Sequence, residues 1–123
     1  GPRGEVRQVY VIRDPEGVFA AAIADVVLMP TNSTRRRYYV VTRINVMERY
    51  RGQGYGTKIL EMILEDADRE GITLLLEPVP SGGLPKKELE AWYERHGFTW
   101  GAWHMGRRPK GAPDEEAEGV EEV

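Results

Sequence analysis

The chain has no cysteine among its 123 residues, which excludes disulfides, thiolate metal sites and a cysteine nucleophile. It also lacks any apolar run near the roughly 20 residues that span a bilayer, so no transmembrane helix and no membrane partner are expected. No basic segment followed by an apolar stretch opens the sequence, and no secretory signal is read. A cytoplasmic protein is therefore the expectation. Gly1-Pro2 has the form of a tag remnant, which would leave residues 1–4 outside the fold. No set of His, Asp and Glu residues has metal-ligand spacing, so no metal is expected. There is no internal repeat.

What the chain does contain is one domain's worth of residues, at 14.0 kDa and 41% hydrophobic, enough for a single core. The net charge of −3 is unevenly spread. From Lys110 to Val123 six acids stand against one lysine, a local net of −5 that leaves +2 on residues 1–109. That tail has no aromatic residue and only two valines, so it buries too little to offset its ordering entropy, and 110–123 reads as a disordered acidic tail. The remaining domain, 1–109, is mildly basic. This suits an anionic ligand but falls far short of the charge of a nucleic-acid binder, so nucleic acid is disfavoured as a partner.

Periodicity then divides the domain. Residues 5–13 alternate as a strand, with Val6, Tyr10 and Ile12 among polar neighbours, and Asp14-Pro15-Glu16-Gly17 reads as a turn. Val18 to Met29 is ambiguous: three consecutive alanines favour a helix, whereas Ile23, Val26, Val27 and the following Pro30-Thr31-Asn32-Ser33 turn favour a strand, which is the preferred reading. Tyr38 to Met47 is a strand. Gly54 to Glu70 is helical, with Ile59, Met62, Ile63 and Ala67 on one face and Gly71 as its stop. Ile72 to Glu77 is a nearly continuous apolar run, expected of a strand covered on both faces. Pro85 opens a second helix bearing Leu89, Trp92, Tyr93 and His96, and Phe98 to Arg108 supplies one or two closing strands around Gly101. The result is a mixed α/β (α+β) sheet: antiparallel strands followed by a strand–helix–strand–helix–strand unit, whose middle requires a parallel crossover.

The most informative segment is Arg51-Gly52-Gln53-Gly54-Tyr55-Gly56-Thr57, between a strand and a helix. Alternating glycines let the backbone approach a ligand closely and take positive φ. Amides at a helix N-terminus favour an anion, and Arg51 adds a fixed positive charge. The segment is thus suited to cradle a phosphate. Its spacing matches neither common nucleotide motif. Thr57 and Lys58 follow Gly56 in the reverse of the P-loop order, and the third glycine comes one residue early for a dinucleotide fingerprint.

Arg51-Gly52-Gln53-Gly54-Tyr55-Gly56 resembles the Arg/Gln-x-x-Gly-x-Gly/Ala motif of the GNAT superfamily of N-acetyltransferases, with Val46 five residues upstream also fitting. About 40 residues on, Ala91-Trp92-Tyr93-Glu94-Arg95-His96-Gly97-Phe98 resembles the family's aromatic-Tyr-x-x-x-Gly-Phe block. The two motifs stand in the family's order and at its spacing, and the likeness is good over residues 38–98. It implies a GNAT-like acyl-CoA N-acyltransferase fold with acetyl-CoA as donor. It further implies that the amides of Gln53, Gly54, Tyr55, Gly56 and Thr57 hold the pyrophosphate beside Gly52, with Arg51 supporting the loop. The backbone of Ile44, Asn45 and Val46 would pair with the pantetheine arm, in an opening between this strand and strand 72–77. Where the family often has asparagine seven residues before the tyrosine, this chain has Lys86, suited instead to meet a coenzyme phosphate. The opening strand and helix pair usual in the family are expected to be missing or cut down.

Direct transfer to an amine needs a neutral nucleophile, an oxyanion donor and a proton for the leaving thiolate. By resemblance Tyr93 is the proton donor and the amide near Val46 the oxyanion donor; a core tyrosine beside Leu89 and Trp92 is the plainer reading of Tyr93 without the motif. For the base, Glu77 at the end of strand 72–77 is the best-placed acid, with Glu48, His96 and His104 as alternatives that read more simply as structural or surface groups. Arg35-Arg36-Arg37 before Tyr38-Tyr39 reads as a solvated hairpin loop, and Glu65, Asp66 and Asp68 as an exposed helix face. Trp92, Trp100 and Trp103 are expected in the core or in a pocket wall. The partners expected are acetyl-CoA and an amine acceptor of unspecified kind, and a homodimer is compatible with the sequence. A non-catalytic module of the same fold, binding coenzyme A or a protein partner, is the alternative.

Overall fold

The computed structural model describes residues 6–29, 38–80 and 83–111. Residues 1–5, 30–37, 81–82 and 112–123 lie outside the described residues, and with them the expectations for the tag remnant, for Arg35 to Arg37 and for most of the acidic tail. Lys110, counted with that tail on composition, donates its amide to Asp68 Oδ1 at 2.9 Å.

Alternating segments build β1 (Val6–Arg13), β2 (Ala20–Met29) and β3 (Tyr38–Val46), which pair with one another antiparallel in chain order. A 3-10 turn at Glu48–Tyr50 and the glycine segment lead into α1 (Tyr55–Glu70), followed by β4 (Thr73–Leu76), α2 (Lys86–Arg95), β5 (Thr99–Trp100) and β6 (Met105–Arg107). The six strands form one sheet in the order β1-β2-β3-β4-β6-β5, with β3 and β4 parallel across the α1 crossover. The mixed sheet and its element order are those expected from periodicity. The ambiguous stretch is a strand, because Ala22 and Ala24 are fully buried under α1 and small side chains let the helix approach the sheet.

One core cluster joins Ile59, Leu60, Ile63, Leu64 and Ala67 of α1, Tyr93 of α2 and one face of the sheet, including Val26, Val41, Leu74 and Leu76. Helices therefore cover one sheet face, and this corrects three expectations. Thr73 and Leu75 of β4 are only partly buried, where coverage on both faces was expected. Met62 points off the packed face and is 39% exposed. Trp103 is 85% and Trp100 45% exposed, because the β5–β6 hairpin carries them past the end of the core; only Trp92 is a wall residue.

Two acids read as solvated are also committed to the fold. Asp66 accepts the Tyr10 hydroxyl at 2.6 Å and pairs with Arg69. Asp68 takes a bidentate contact from Arg107, at 2.9 Å from Nη1 and 3.1 Å from Nη2, while Arg107 Nε donates to the His96 carbonyl at 3.2 Å. The guanidinium thus ties β6 to α1 and to the end of α2. Among the described residues no helix is long and apolar enough to cross a membrane.

Candidate functional site

The site begins where strand pairing stops. β3 and β4 pair only from Tyr38↔Thr73 to Val40↔Leu75, whereas β2 follows β3 as far as Ala22↔Val46. From Val41 onward the β4-facing edge of β3 therefore carries no strand. A β-bulge lies at this point: Asp25 pairs with Arg43 and Val26 with Val41, leaving Thr42 as the extra residue. Bulges bend and twist the strand that holds them. Thr42 Oγ1 donates to the Asp25 carbonyl at 3.2 Å, and Arg43 Nη2 pairs with Asp25 Oδ2 at 2.9 Å, so both flanks of the bulge are anchored to β2. The extra residue also reverses the alternation. Tyr39 and Val41 face the helices before it, and Ile44 and Val46 face them after it.

A cavity of about 680 Å³ occupies the opening. Its walls come from the unpaired end of β3 (Val41, Thr42, Arg43, Ile44, Val46), from the glycine segment, from Glu77, Val79, Pro80, Gly83 and Leu84 after β4, and from Leu89, Trp92 and Tyr93 of α2. At its α1 end, Gly52 (φ 78°) and Gly54 (φ 88°) take left-handed conformations, and Gly54 caps the helix. The first intrahelical bond runs from the Lys58 amide to the Gly54 carbonyl at 3.0 Å. The helix pattern thus leaves the amides of Tyr55, Gly56 and Thr57 without an intrahelical acceptor at the positive end of the α1 dipole. A Cβ on Gly56 would lie 3.5 Å from Val46 and 3.7 Å from Trp92, so this glycine marks the close approach of α1 to β3 and α2. Trp92 Nε1 donates to Thr57 Oγ1 at 3.1 Å, joining the two helices beside the loop. Arg51 Nε donates to the Val46 carbonyl at 3.0 Å, tying the loop to the last residue of β3.

Of the residues singled out in the sequence, Ile44, Val46, Arg51, Gly52, Gly54, Tyr55, Gly56, Thr57, Glu77 and Tyr93 line this one cavity. The alternative bases Glu48, His96 and His104 do not, and neither do three of the residues assigned to the coenzyme. Asn45 pairs with Ile23, its side chain is on the sheet face opposite Ile44 and Val46, and its Nδ2 lies 4.0 Å from Met47 Sδ. Gln53 turns back to donate to the Arg49 carbonyl at 3.4 Å. Lys86 is on the exposed start of α2 with Nζ 3.9 Å from Glu90 Oε2. His96 Nδ1 is 2.8 Å from the Trp92 carbonyl, which can only accept, so that nitrogen carries the proton.

Tyr93 is buried to 7% exposure, its ring packed edge-on to Phe98 at 5.4 Å and tilted against Trp92 at 4.9 Å. Burial pushes its phenol up to about 12. The hydroxyl has no hydrogen-bond partner among the described residues. It is a protonated donor on a wall of the cavity, without an acceptor among the described residues. Among the described residues no cluster of acids and histidines is arranged to hold a metal. Sequence reasoning missed Arg43, Val79, Leu84 and the bulge. The local trace of the bulge is the switch from 39 and 41 to 44 and 46 in the apolar spacing.

The sequence profile of the acetyltransferase (GNAT) domain matches residues 5–100. A comparison with curated proteins gives no match. Among solved structures, the fold is similar to one in the KacTA–DNA complex, at 14% identity and TM-score 0.66 over 95% of this chain and 74% of that one. It is also similar to the ribosomal-protein-S18-alanine N-acetyltransferase from Escherichia coli, at 18% identity and TM-score 0.64 over 94% of this chain and 76% of that one. A third likeness is to a chain in the NatC complex bound to Gag peptide and CoA, at 18% identity and TM-score 0.57 over 81% of this chain and 67% of that one. At these identities the likeness is one of fold. Across the similar structures the chain spans 62–76% of the other chain's length. With the profile matched over most of its length, the chain belongs to the GNAT acetyltransferase family.

Proposed function

We propose that this protein transfers the acetyl group of acetyl-CoA directly to an amine. The observation that carries the reading is the cavity itself, whose lining brings together a helix N-terminus, a strand edge without a neighbouring strand and a phenol without a hydrogen-bond partner among the described residues. A diphosphate is recognised by backbone N–H groups and a helix dipole, which the Gly52–Thr57 segment offers. A chain of amide and carbonyl groups, as in pantetheine, is recognised by an open strand edge, which β3 offers beyond Val40. The residues present therefore fit a coenzyme A thioester, with Arg51 holding the loop against Val46.

In the reaction the amine nitrogen bonds to the thioester carbon and the carbon–sulfur bond breaks. The nitrogen loses a proton and the sulfur leaves as a thiolate, which takes its proton from solvent. Tyr93 donates a hydrogen bond to the departing sulfur, and a backbone amide near Val46 stabilises the oxyanion. Glu77, exposed at the end of β4 and on the cavity wall, takes the amine proton directly or through water. Two of the similar structures are by their names a protein-alanine N-acetyltransferase and a complex holding a peptide with CoA. This supports a peptide or protein amine as the first acceptor to try.

Calorimetric titration with acetyl-CoA tests the donor. Saturable micromolar binding is expected, and no heat at millimolar ligand would overturn the assignment. Thiol release with a panel of amines and N-terminal peptides then tests turnover. Binding without any release across the panel would leave the non-catalytic module as the better reading.

A further inference from the structure

Asp14 is the buried charged side chain among the described residues, 4% exposed, and no step above uses it. It sits in the β1–β2 turn, 36 residues before the Tyr50 it touches. The turn is built around it. Its amide donates to the Phe19 carbonyl at 2.8 Å, its carbonyl accepts the Gly17 amide at 2.8 Å, and Oδ1 accepts the Val18 amide at 2.9 Å. Gly17 makes this possible with φ 74°. The fixed carboxylate then has one oxygen left, and Oδ2 accepts the Tyr50 hydroxyl at 2.9 Å. Burial pushes the Asp14 carboxyl up, but the hydrogen bonds from Val18 and Tyr50 outweigh it and hold it below the ordinary range.

Tyr50 ends the 3-10 turn between β3 and the glycine segment, and its ring meets Tyr55 edge-on at 5.9 Å. Tyr55 is the first residue of α1 and lines the cavity. The corner is otherwise held by backbone bonds, Met47 amide to Ala21 carbonyl at 2.9 Å, Tyr50 amide to Met47 carbonyl at 2.8 Å and Arg51 amide to Glu48 carbonyl at 3.2 Å, and by the exposed side-chain bonds of Arg51 to Val46 and Gln53 to Arg49. The glycines that follow favour no one conformation by themselves. A cradle of backbone amides binds an anion well only if its amides are already aimed. The side-chain strut supplies a constraint the glycines lack.

We infer that Asp14 is a positioning residue for the anion cradle, acting through Tyr50 and Tyr55 to hold the Gly52–Thr57 amides in their binding conformation. The inference rests on the coenzyme reading above. It assigns control of coenzyme affinity to a turn that belongs to another part of the sheet and does not line the cavity. A carboxylate serves here because it accepts both bonds at once, one per oxygen.

A double-mutant cycle in coenzyme A affinity tests it, with Asp14→Ala, Tyr50→Phe and the double variant titrated calorimetrically and their melting recorded in parallel. Each single variant is expected to raise Kd about fivefold to tenfold, the scale of one ordinary hydrogen bond. The double variant is expected to bind no more weakly than the weaker single, because one strut is broken once. A purely structural role would lower the melting temperature and leave Kd unchanged in the folded protein, which overturns the inference, as do losses that multiply in the double variant. If Asp14→Ala does not fold, Tyr50→Phe decides alone, since it removes one hydroxyl and keeps the ring against Tyr55. Absence of coenzyme A binding by the unmodified protein would instead sink the coenzyme reading, and this inference with it.

Discussion

Tyr93→Phe separates what α2 contributes to folding from what it contributes to chemistry. The ring keeps its contacts with Phe98 and Trp92, and only an oxygen without a partner among the described residues is lost. A hydroxyl buried with no hydrogen bond costs about 1–3 kcal/mol in proteins. This one faces a cavity that admits water, so the lower end applies, and the variant should be as stable as the parent or up to about 1 kcal/mol more stable. Activity should move the other way. The phenol, at about 12, lies some 3.5 units above an ordinary thiol, so complete proton transfer to sulfur is uphill by about 5 kcal/mol. The hydroxyl therefore acts by hydrogen bonding to the developing thiolate, and the loss on deletion belongs near 10²-fold, the low end of the range for acid–base groups, or about 2.7 kcal/mol of barrier.

The same shift fixes two pH dependences. The folded value lies above the unfolded 10.0, so the contribution of Tyr93 to stability is complete below pH 10 and is lost as pH rises through 12, by about 2.7 kcal/mol for two units. Because the group stays protonated throughout the neutral range, the rate of thiol release should rise with deprotonation of the amine and show no falling limb from Tyr93 below pH 10. The assay is thiol release at saturating acetyl-CoA across pH 6–10, with urea denaturation of both proteins alongside. Equal turnover in the two proteins would refute the role. A falling limb near pH 8–9 present in the parent and absent from Tyr93→Phe would refute the burial argument.

Two further perturbations follow from the same geometry. Arg107→Met strips a bidentate partner from Asp68 with the guanidinium only 10% and the carboxylate 24% exposed; the loss should fall toward or below the lower end of the ~3–5 kcal/mol for a broken buried pair, read by urea denaturation at pH 7. The Arg107 hydrogen bonds hold Asp68 below its ordinary value against burial, so the pair's stabilisation is present above the normal carboxylate range and lost as pH falls through the depressed value. Arg107→Met should therefore lose less stability than the parent between neutral pH and pH 3. Glu77→Gln, at an exposed position, should leave stability within about 0.5 kcal/mol. It should cut thiol release by 10²-fold or more if Glu77 is the base. Unchanged turnover would remove Glu77 from the reaction.

How much of this was legible in the sequence depends on the range of the interaction involved. The glycine segment, both helices and the other strands carry their signal within a window of a few residues, and each was readable there. Val18 to Met29 was read as a strand only against a competing helix, because the alanines that suggest a helix in isolation are the small residues a strand needs where α1 packs closely over it. Asp66 and Asp68 failed for a different reason. Their partners are Tyr10 and Arg107, 56 and 39 residues away, so nothing on the helix itself distinguishes them from the solvated Glu65. The exposed Trp100 and Trp103 show the converse, since hydrophobicity reports a preference for burial but not whether the core extends that far. The cavity lies between these cases. It exists because β3 stops pairing with β4 after Val40, an event of tertiary structure, yet a single inserted residue whose trace is local lies at the same point. Strict alternation from Tyr39 would have put Ile44 and Val46 on the sheet face away from the helices. One residue too many at Thr42 therefore places the apolar end of β3 against α1 and α2, along the stretch whose other edge carries no strand.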